Sequence, residues 1–303
     1  MLSQDERNEV ERYITLIIEK RPKEAASNKK KEALKAFSYT FTPGVYGMLG
    51  PNGAGKSTFM NLLTDSIGRT EGSILYNGKD ILELDKRFRA VVGYMPQKQG
   101  LYDNFSAERF MYYMSGLKGI KKSQAREQIE KYLKLVGLYE VKNKKLGGFS
   151  GGMRQRAIFA SVCLGNPRIM ILDEPTAGLD PEERIKIRNY ISELAEDKIV
   201  ILSTHIVSDI ESIANKIILL KEGKIIKTGV PEELIESVSD KLFEIKCGEE
   251  GQLKELTKMY KNGNVYQSKE GVIFRIVSEE CPEKFMPSNR EPDMEDVYMY
   301  YFK

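Results

Sequence analysis

A chain of 303 residues with 41% hydrophobic and 30% charged residues can bury one large core or two smaller ones beneath a well-solvated surface. Its net charge of +3 is too small to argue for nucleic acid binding from bulk electrostatics. Three cysteines without C-x-x-C pairing and a single histidine argue against a disulfide framework and against a zinc site, and fit a reduced, cytosolic setting.

The start, Met1-Leu2-Ser3-Gln4-Asp5-Glu6-Arg7, is polar, so no signal peptide is expected; residues 1–11 read as an extension. No run of about 18 apolar residues is present to span a membrane. Residues 13–18 alternate as a strand, the basic stretch from Lys20 to Glu32 reads as an exposed loop, and residues 33–41 are expected to return as a strand. A basic run of this kind also suits nucleic acid contact, but a solvated loop is the reading adopted.

Pro43-Gly44 turns the chain into a short buried strand over residues 45–49. Gly50-Pro51-Asn52-Gly53-Ala54-Gly55-Lys56-Ser57-Thr58 follows and leads into an apolar helix start. This is G-x-x-x-x-G-K-[ST] in its strand–loop–helix setting. The glycines let backbone N–H groups converge on phosphate oxygens, and the helix start adds partial positive charge. The motif puts Lys56 on the β/γ-phosphates and the Ser57 hydroxyl on Mg²⁺.

Residues 72–78 read as a strand closing in an Asn77-Gly78 hairpin turn, and 91–95 as a short apolar strand running into Pro96-Gln97. Between 101 and 146 the apolar period becomes helical, with Ile129, Leu133 and Val136 on one face. Ser150-Gly151-Gly152 opens another helix, with Ser150 as N-cap and glycines that again permit a phosphate at the helix start. Residues 168–172 form a buried strand ending in Asp173-Glu174, an adjacent carboxylate pair that is costly there without a cation nearby. A helix over 181–195 and a buried strand over 199–203 follow, and then His205, which taken alone reads as structural more readily than catalytic. Residues 206–214 read as helical. A strand pair surrounds Lys221-Glu222-Gly223, and Pro231 starts a short helix. The alternation gives an α/β fold with its site at the carboxyl ends of a mostly parallel sheet.

In combination these motifs resemble the ATP-binding subunit of an ABC transporter over about residues 12–235. Gln97 stands at the Q-loop and Ser150-Gly151-Gly152-Met153-Arg154 at the LSGGQ signature. Residues 169–174 match the Walker B strand and its carboxylate. Ala177-Gly178-Leu179-Asp180 matches the D-loop, and His205 the switch histidine. The resemblance implies a P-loop NTPase of the ABC type with a mostly parallel core sheet, an antiparallel β subdomain and a helical subdomain. It implies ATP and Mg²⁺, with Asp173, Ser57 and Gln97 on the metal, Glu174 as general base, His205 on the γ-phosphate and Asp180 at a dimer seam. Each ATP would lie between the P-loop of one copy and Ser150-Gly151-Gly152 of a second copy or a paralogue. Partners would be separately encoded membrane permease subunits, at the cytoplasmic face of the cell membrane. No nucleic acid partner is expected. Likeness to drug, peptide and lantibiotic exporter ATPases implies export. The alternative is a soluble ABC-type ATPase with a regulatory or ribosome-associated role. Against ribosomal relatives, every motif occurs once. Against DNA-repair relatives, Gln97 and Ser150 are 53 positions apart (150 − 97), with no room for a coiled coil.

Two departures stand out. Phe149 and Met153 replace the Leu and Gln of the signature, both peripheral to the phosphate contact. No Tyr, Phe or Trp lies between Lys20 and Glu32, where the family places an adenine-stacking aromatic. The domains expected are 1–11, an ATPase domain over 12–237, and a small α+β appendage over 238–303. The 65 residues from 239 carry 13 acidic and 10 basic side chains, −3 against +6 for the rest. The aromatic end, residues 294–302, is expected to cap the core of this appendage, with docking in a dimer as the other option.

Overall fold

The computed structural model describes residues 14–17, 33–35, 37–97, 100–248, 250–269 and 271–303. The expected extension over 1–11, the basic loop and the aromatic-free stretch before Ala33 lie outside the described residues. In chain order the strands are β1 (Ile14–Ile17), β2 (Ser38–Phe41), β3 (Gly44–Leu49), β4 (Ser73–Tyr76), β5 (Lys79–Asp80), β6 (Val92–Met95), β7 (Ile169–Asp173), β8 (Ile199–Ser203), β9 (Lys216–Lys221), β10 (Lys224–Gly229), β11 (Leu242–Cys247), β12 (Gly263–Ser268), β13 (Gly271–Val277) and β14 (Met286–Pro287). The helices are α1 (Lys56–Leu63), α2 (Ile81–Leu84), α3 (Lys86–Val91), α4 (Ala107–Leu117), α5 (Lys122–Leu135), α6 (Gly151–Cys163), α7 (Pro181–Leu194), α8 (Val207–Ile213), α9 (Pro231–Glu236), α10 (Glu250–Met259) and α11 (Met294–Phe302).

The central sheet has the order β10-β9-β3-β8-β7-β6. Its pairs are parallel except for edge strand β10 on β9. The apolar runs Ile-Met-Ile-Leu of β7 and Ile-Val-Ile-Leu of β8 are wholly buried because both faces of a parallel sheet are covered. Side chains alternate across the pleat, so Ile169, Ile171, Ile199 and Ile201 feed one core and Met170, Leu172, Val200 and Leu202 the other. The first core is closed by Phe59, Met60 and Leu63 of α1 and by Ile14, Phe41 and Ile74 of the antiparallel sheet β2-β1-β4-β5. The second is closed by α4 to α8, with Ile129, Leu133 and Val136 buried in it as their spacing predicts. The turn from β4 to β5 is the expected Asn77-Gly78, both residues at positive φ (50° and 75°).

Two expectations need correction. The strand expected over residues 33–41 begins only at Ser38. Lys35 N–H instead donates to Gly223 O (2.7 Å), so this stretch joins the β9–β10 turn rather than a ladder. The aromatic end does form a helix, α11, but it does not cap the appendage's own small core of Phe243, Phe274, Ile276 and Phe285. Met294 and Val297 are buried in the large core, as are Leu242 and Val277 at the base of the third sheet, β12-β13-β11-β14. A buried ion pair, Arg275–Asp296 at 2.7 Å, ties α11 to β13. An aromatic helix ending a chain signals only that it must be covered; which core covers it is a long-range matter.

Candidate functional site

Strand order lays the site out. At the carboxyl ends the chain leaves β9 into Glu222, β3 into the glycine loop, β8 into Thr204 and His205, β7 into Glu174 and β6 into Gln97. At about 4.8 Å per strand, the Glu222 and Glu174 ends of this row stand about 14 Å apart. A cleft of about 780 Å³ runs along it, lined by Ala33, Lys35, residues 52–58, Gln97, Asp173, Glu174 and Glu222.

Gly53 and Gly55 take φ of +80° and +111°, the left-handed backbone that turns N–H groups inward. Gly50 is required for another reason: a Cβ there would fall 2.1 Å from Leu220 O. Gly55 is the N-cap of α1, and among the described residues no side-chain hydrogen bond caps the start of that helix. Those donors, with the helix dipole, suit an anion. Lys56 Nζ donates to Gly50 O (2.5 Å) and Pro51 O (3.2 Å), so main-chain carbonyls hold its ammonium at the loop. Burial pushes Lys56 below the ordinary lysine range, and the negative charge of Glu174 and Asp173 opposes that shift.

Asp173 and Glu174 are both buried. The Ser203 hydroxyl donates to Asp173 Oδ1, and Glu174 N–H donates to Ser203 O (3.0 Å). Glu174 has φ +54°, a conformation costing a non-glycine residue about 1–3 kcal/mol. His205 Nδ1 lies 2.8 Å from Glu174 Oε2, within hydrogen-bond distance, and the His205 side chain is 66% exposed. The oxygen donors of Ser57, Gln97 and Asp173 suit a hard divalent cation. Among the described residues no cluster of three or more His, Cys, Asp or Glu could hold a metal ion. A cation here would complete its shell from phosphate and water.

The expected residues thus fall into two groups. Residues 52–58, Gln97, Asp173 and Glu174 share the cleft; Gly50 and Pro51 join it through Lys56, and His205 through Glu174. Ser150, Gly151, Gly152 and Asp180 do not line it. Ser150 caps its own helix (Met153 N–H to Ser150 Oγ, 3.2 Å), as expected, and Asp180 caps α7 (Glu183 N–H to Asp180 Oδ1, 2.9 Å). Sequence reasoning missed Lys35, Glu222 and Ser203. Glu222 sits in a turn with Gly223, at φ 50° and 78°, stitched to the glycine loop by Gly223 N–H to Ala54 O (2.8 Å). The hairpin was legible, but its place beside the loop depends on β9 pairing with β3. Ser203 carried one signal, a hydroxyl closing an otherwise apolar strand.

A glycine loop between strand and helix, on a parallel sheet with two carboxylates at the next strand but one, defines an α/β P-loop NTPase. The chain belongs to the ABC transporter family. The family profile described as ABC transporter matches residues 34–177. The chain is 32% identical over 288 residues to the uncharacterized ABC transporter ATP-binding protein YxlF of Bacillus subtilis, covering 90% of this chain and 95% of that protein. It is 32% identical over 215 residues to the ABC transporter ATP-binding protein NatA of the same organism, covering 69% and 87%. It also matches ABC transporter A family member 8 of Dictyostelium discoideum, 35% identical over 67% of this chain but spanning only 24% of that protein. A solved ATP binding subunit of an ABC transporter aligns with TM-score 0.63 at 22% identity, over 74% of this chain and 92% of its own, and shows the common fold. The chain is an ATP-binding ATPase that powers transport.

Proposed function

We propose that this ATPase drives export through separately encoded membrane-spanning subunits, working at the cytoplasmic face of the cell membrane as a head-to-tail pair of copies or of paralogues. The observation that carries the reading is the separation of the two glycine-flanked helix starts. The cleft holds the one at Lys56, while the one at Gly151 lies outside it, free to meet the cleft of a second chain. Among the described residues no helix is long and apolar enough to cross a membrane, so the proposal gives the spanning part to other chains. Tyr102, Tyr113 and Leu117, exposed large side chains following Gln97, offer those chains an apolar surface. Export rests on likeness to exporter ATPases.

In this reading the triphosphate lies on the glycine loop with its γ end toward Asp173 and Glu174. The nucleoside then falls toward Lys35 and Glu222, at the other end of the row. Lys56 moves from the carbonyls of Gly50 and Pro51 to phosphate oxygens. Mg²⁺, held by Ser57, Asp173 and Gln97, would neutralise charge building on the phosphates. Glu174 orients water and accepts its proton, His205 holds Glu174 and meets the γ-phosphate, and Asp180 lies at the seam with the second chain. Catalysis is then mostly positioning and charge stabilisation.

Affinity purification from gently solubilised membranes tests this. A polytopic membrane protein is expected to copurify; recovery with ribosomes and no membrane protein would overturn the transport partner and favour the ribosome-associated alternative.

A further inference from the structure

Ser203 stands at the centre of the row. It is fully buried and pairs in register with Met48 of β3 on one side and Asp173 of β7 on the other. Its hydroxyl donates to Asp173 Oδ1, its carbonyl accepts Glu174 N–H at 3.0 Å, and two residues on His205 Nδ1 meets Glu174 Oε2 at 2.8 Å. The next residue, Thr204, is buried too, and its Oγ1 accepts Ile206 N–H (3.0 Å), which sets the turn that carries His205.

We propose that Ser203 is the positioning residue for the metal-binding carboxylate. Its hydroxyl occupies Oδ1 of Asp173 and leaves Oδ2 as the oxygen offered to the cleft. Carboxylate oxygens accept from several directions, and a buried carboxylate without a fixed donor has several rotamers of similar energy. One donor from the neighbouring strand, in direct register, removes that choice. The main-chain bond from Glu174 to Ser203 O does a separate task, holding the φ +54° backbone that aims Glu174. A substitution at Ser203 changes the first bond and spares the second. The inference rests on the proposed role of Asp173 toward a divalent cation.

The test uses the full chain, a non-hydrolysable ATP analogue and Mn²⁺ as a paramagnetic probe. Mn²⁺ binding is read by electron paramagnetic resonance, and nucleotide binding without metal by fluorescence. Ser203→Ala is expected to weaken Mn²⁺ binding about tenfold and to leave metal-free nucleotide affinity within about twofold, since a charge-assisted bond is lost at one ligand only. Ser203→Cys, nearly isosteric with a weaker donor, is expected to fall between the two. It also serves if the alanine variant folds poorly. Unchanged Mn²⁺ affinity in both variants would overturn the proposal, as would an equal loss of metal-free nucleotide binding. Asp173→Asn is the control: if it too leaves Mn²⁺ affinity unchanged, the metal role of Asp173 has failed, and the role of Ser203 with it.

Discussion

The helix starts at Lys56 and at Gly151 look alike in sequence, each a small polar residue followed by glycines at or just before the first turn, yet they are built for different ends. At α1 the glycines take left-handed backbone, the N-cap has no side chain, and the first N–H groups are left for an anion. At α6 the N-cap is Ser150, whose own hydroxyl takes the Met153 N–H. Gly152 there is needed for packing: a Cβ would come 2.7 Å from the Glu183 side chain, which Arg156 holds at 2.8 Å. One start opens into the cleft beside its own chain's carboxylates; the other is capped by its own serine and packed on α7 at Gly152, with open space at Gly151. Glycine at a helix start therefore reports left-handed backbone in one case and close helix packing in the other, and only the structure shows which.

The largest test of that contrast is Glu174→Gln. ATP turnover should fall by about 10²–10⁴ while ATP binding survives, because only proton acceptance is lost. The trapped nucleotide should then bring the Gly151 start of one chain against the Lys56 start of another, read as a dimer by light scattering in Mg-ATP. A variant that stays monomeric there would break the shared-site reading.

The next effect lies at the far end of α6. Lys118 Nζ donates to Val162 O (2.8 Å) and Leu164 O (2.7 Å), and burial lowers its pKa to about 8 from 10.5. Between those values the unfolded chain binds more protons than the folded one, so this group's contribution to stability rises with pH. Unfolding by urea should therefore show wild type gaining on Lys118→Met from pH 8 to pH 10.5, by about 3 kcal/mol at most. A flat difference would mean that the lysine stays charged on those carbonyls.

Ser150→Ala removes the cap and should cost about 1 kcal/mol in stability. If the start acts only across a dimer, nucleotide affinity of the single chain stays unchanged while turnover falls. A drop in single-chain affinity would place both starts on one nucleotide within one chain. The smallest effect is expected at Glu222→Gln, a few-fold change in the ratio of ATP to GTP binding measured by titration calorimetry. No change would remove Glu222 from the nucleoside end of the cleft.

Much of this was legible in the residues because the signals are local. The buried runs of β7 and β8, the Asn77-Gly78 turn, the Ser150 cap and the glycine loop are each written within a few positions of one another. The less legible parts had weak or ambiguous local signals. β12, Gly-Asn-Val-Tyr-Gln-Ser, is half polar and carries little strand signal; it is a strand because it pairs with β13, and a Cβ on Gly263 would meet the Phe274 ring at 2.1 Å. Residues 33–35 look like the start of a strand but are claimed by the Glu222-Gly223 turn.

The sequence by itself determined which stretches are strand ends and which residues stand on them: Gln97, Asp173-Glu174, His205 and the glycine loop. It did so because hydrophobic runs and left-handed turns depend on nearest neighbours along the chain. Tertiary structure alone decided the order β9-β3-β8-β7-β6, and with it which ends become neighbours. That order puts Glu222 at one end of the cleft, Ser203 between the glycine loop and Asp173, and α11 on the large core instead of the small one. Strand order is set by pairing between segments from 30 residues apart (Ile169 with Ile199) to 170 apart (Tyr46 with Lys216), and no local pattern encodes it.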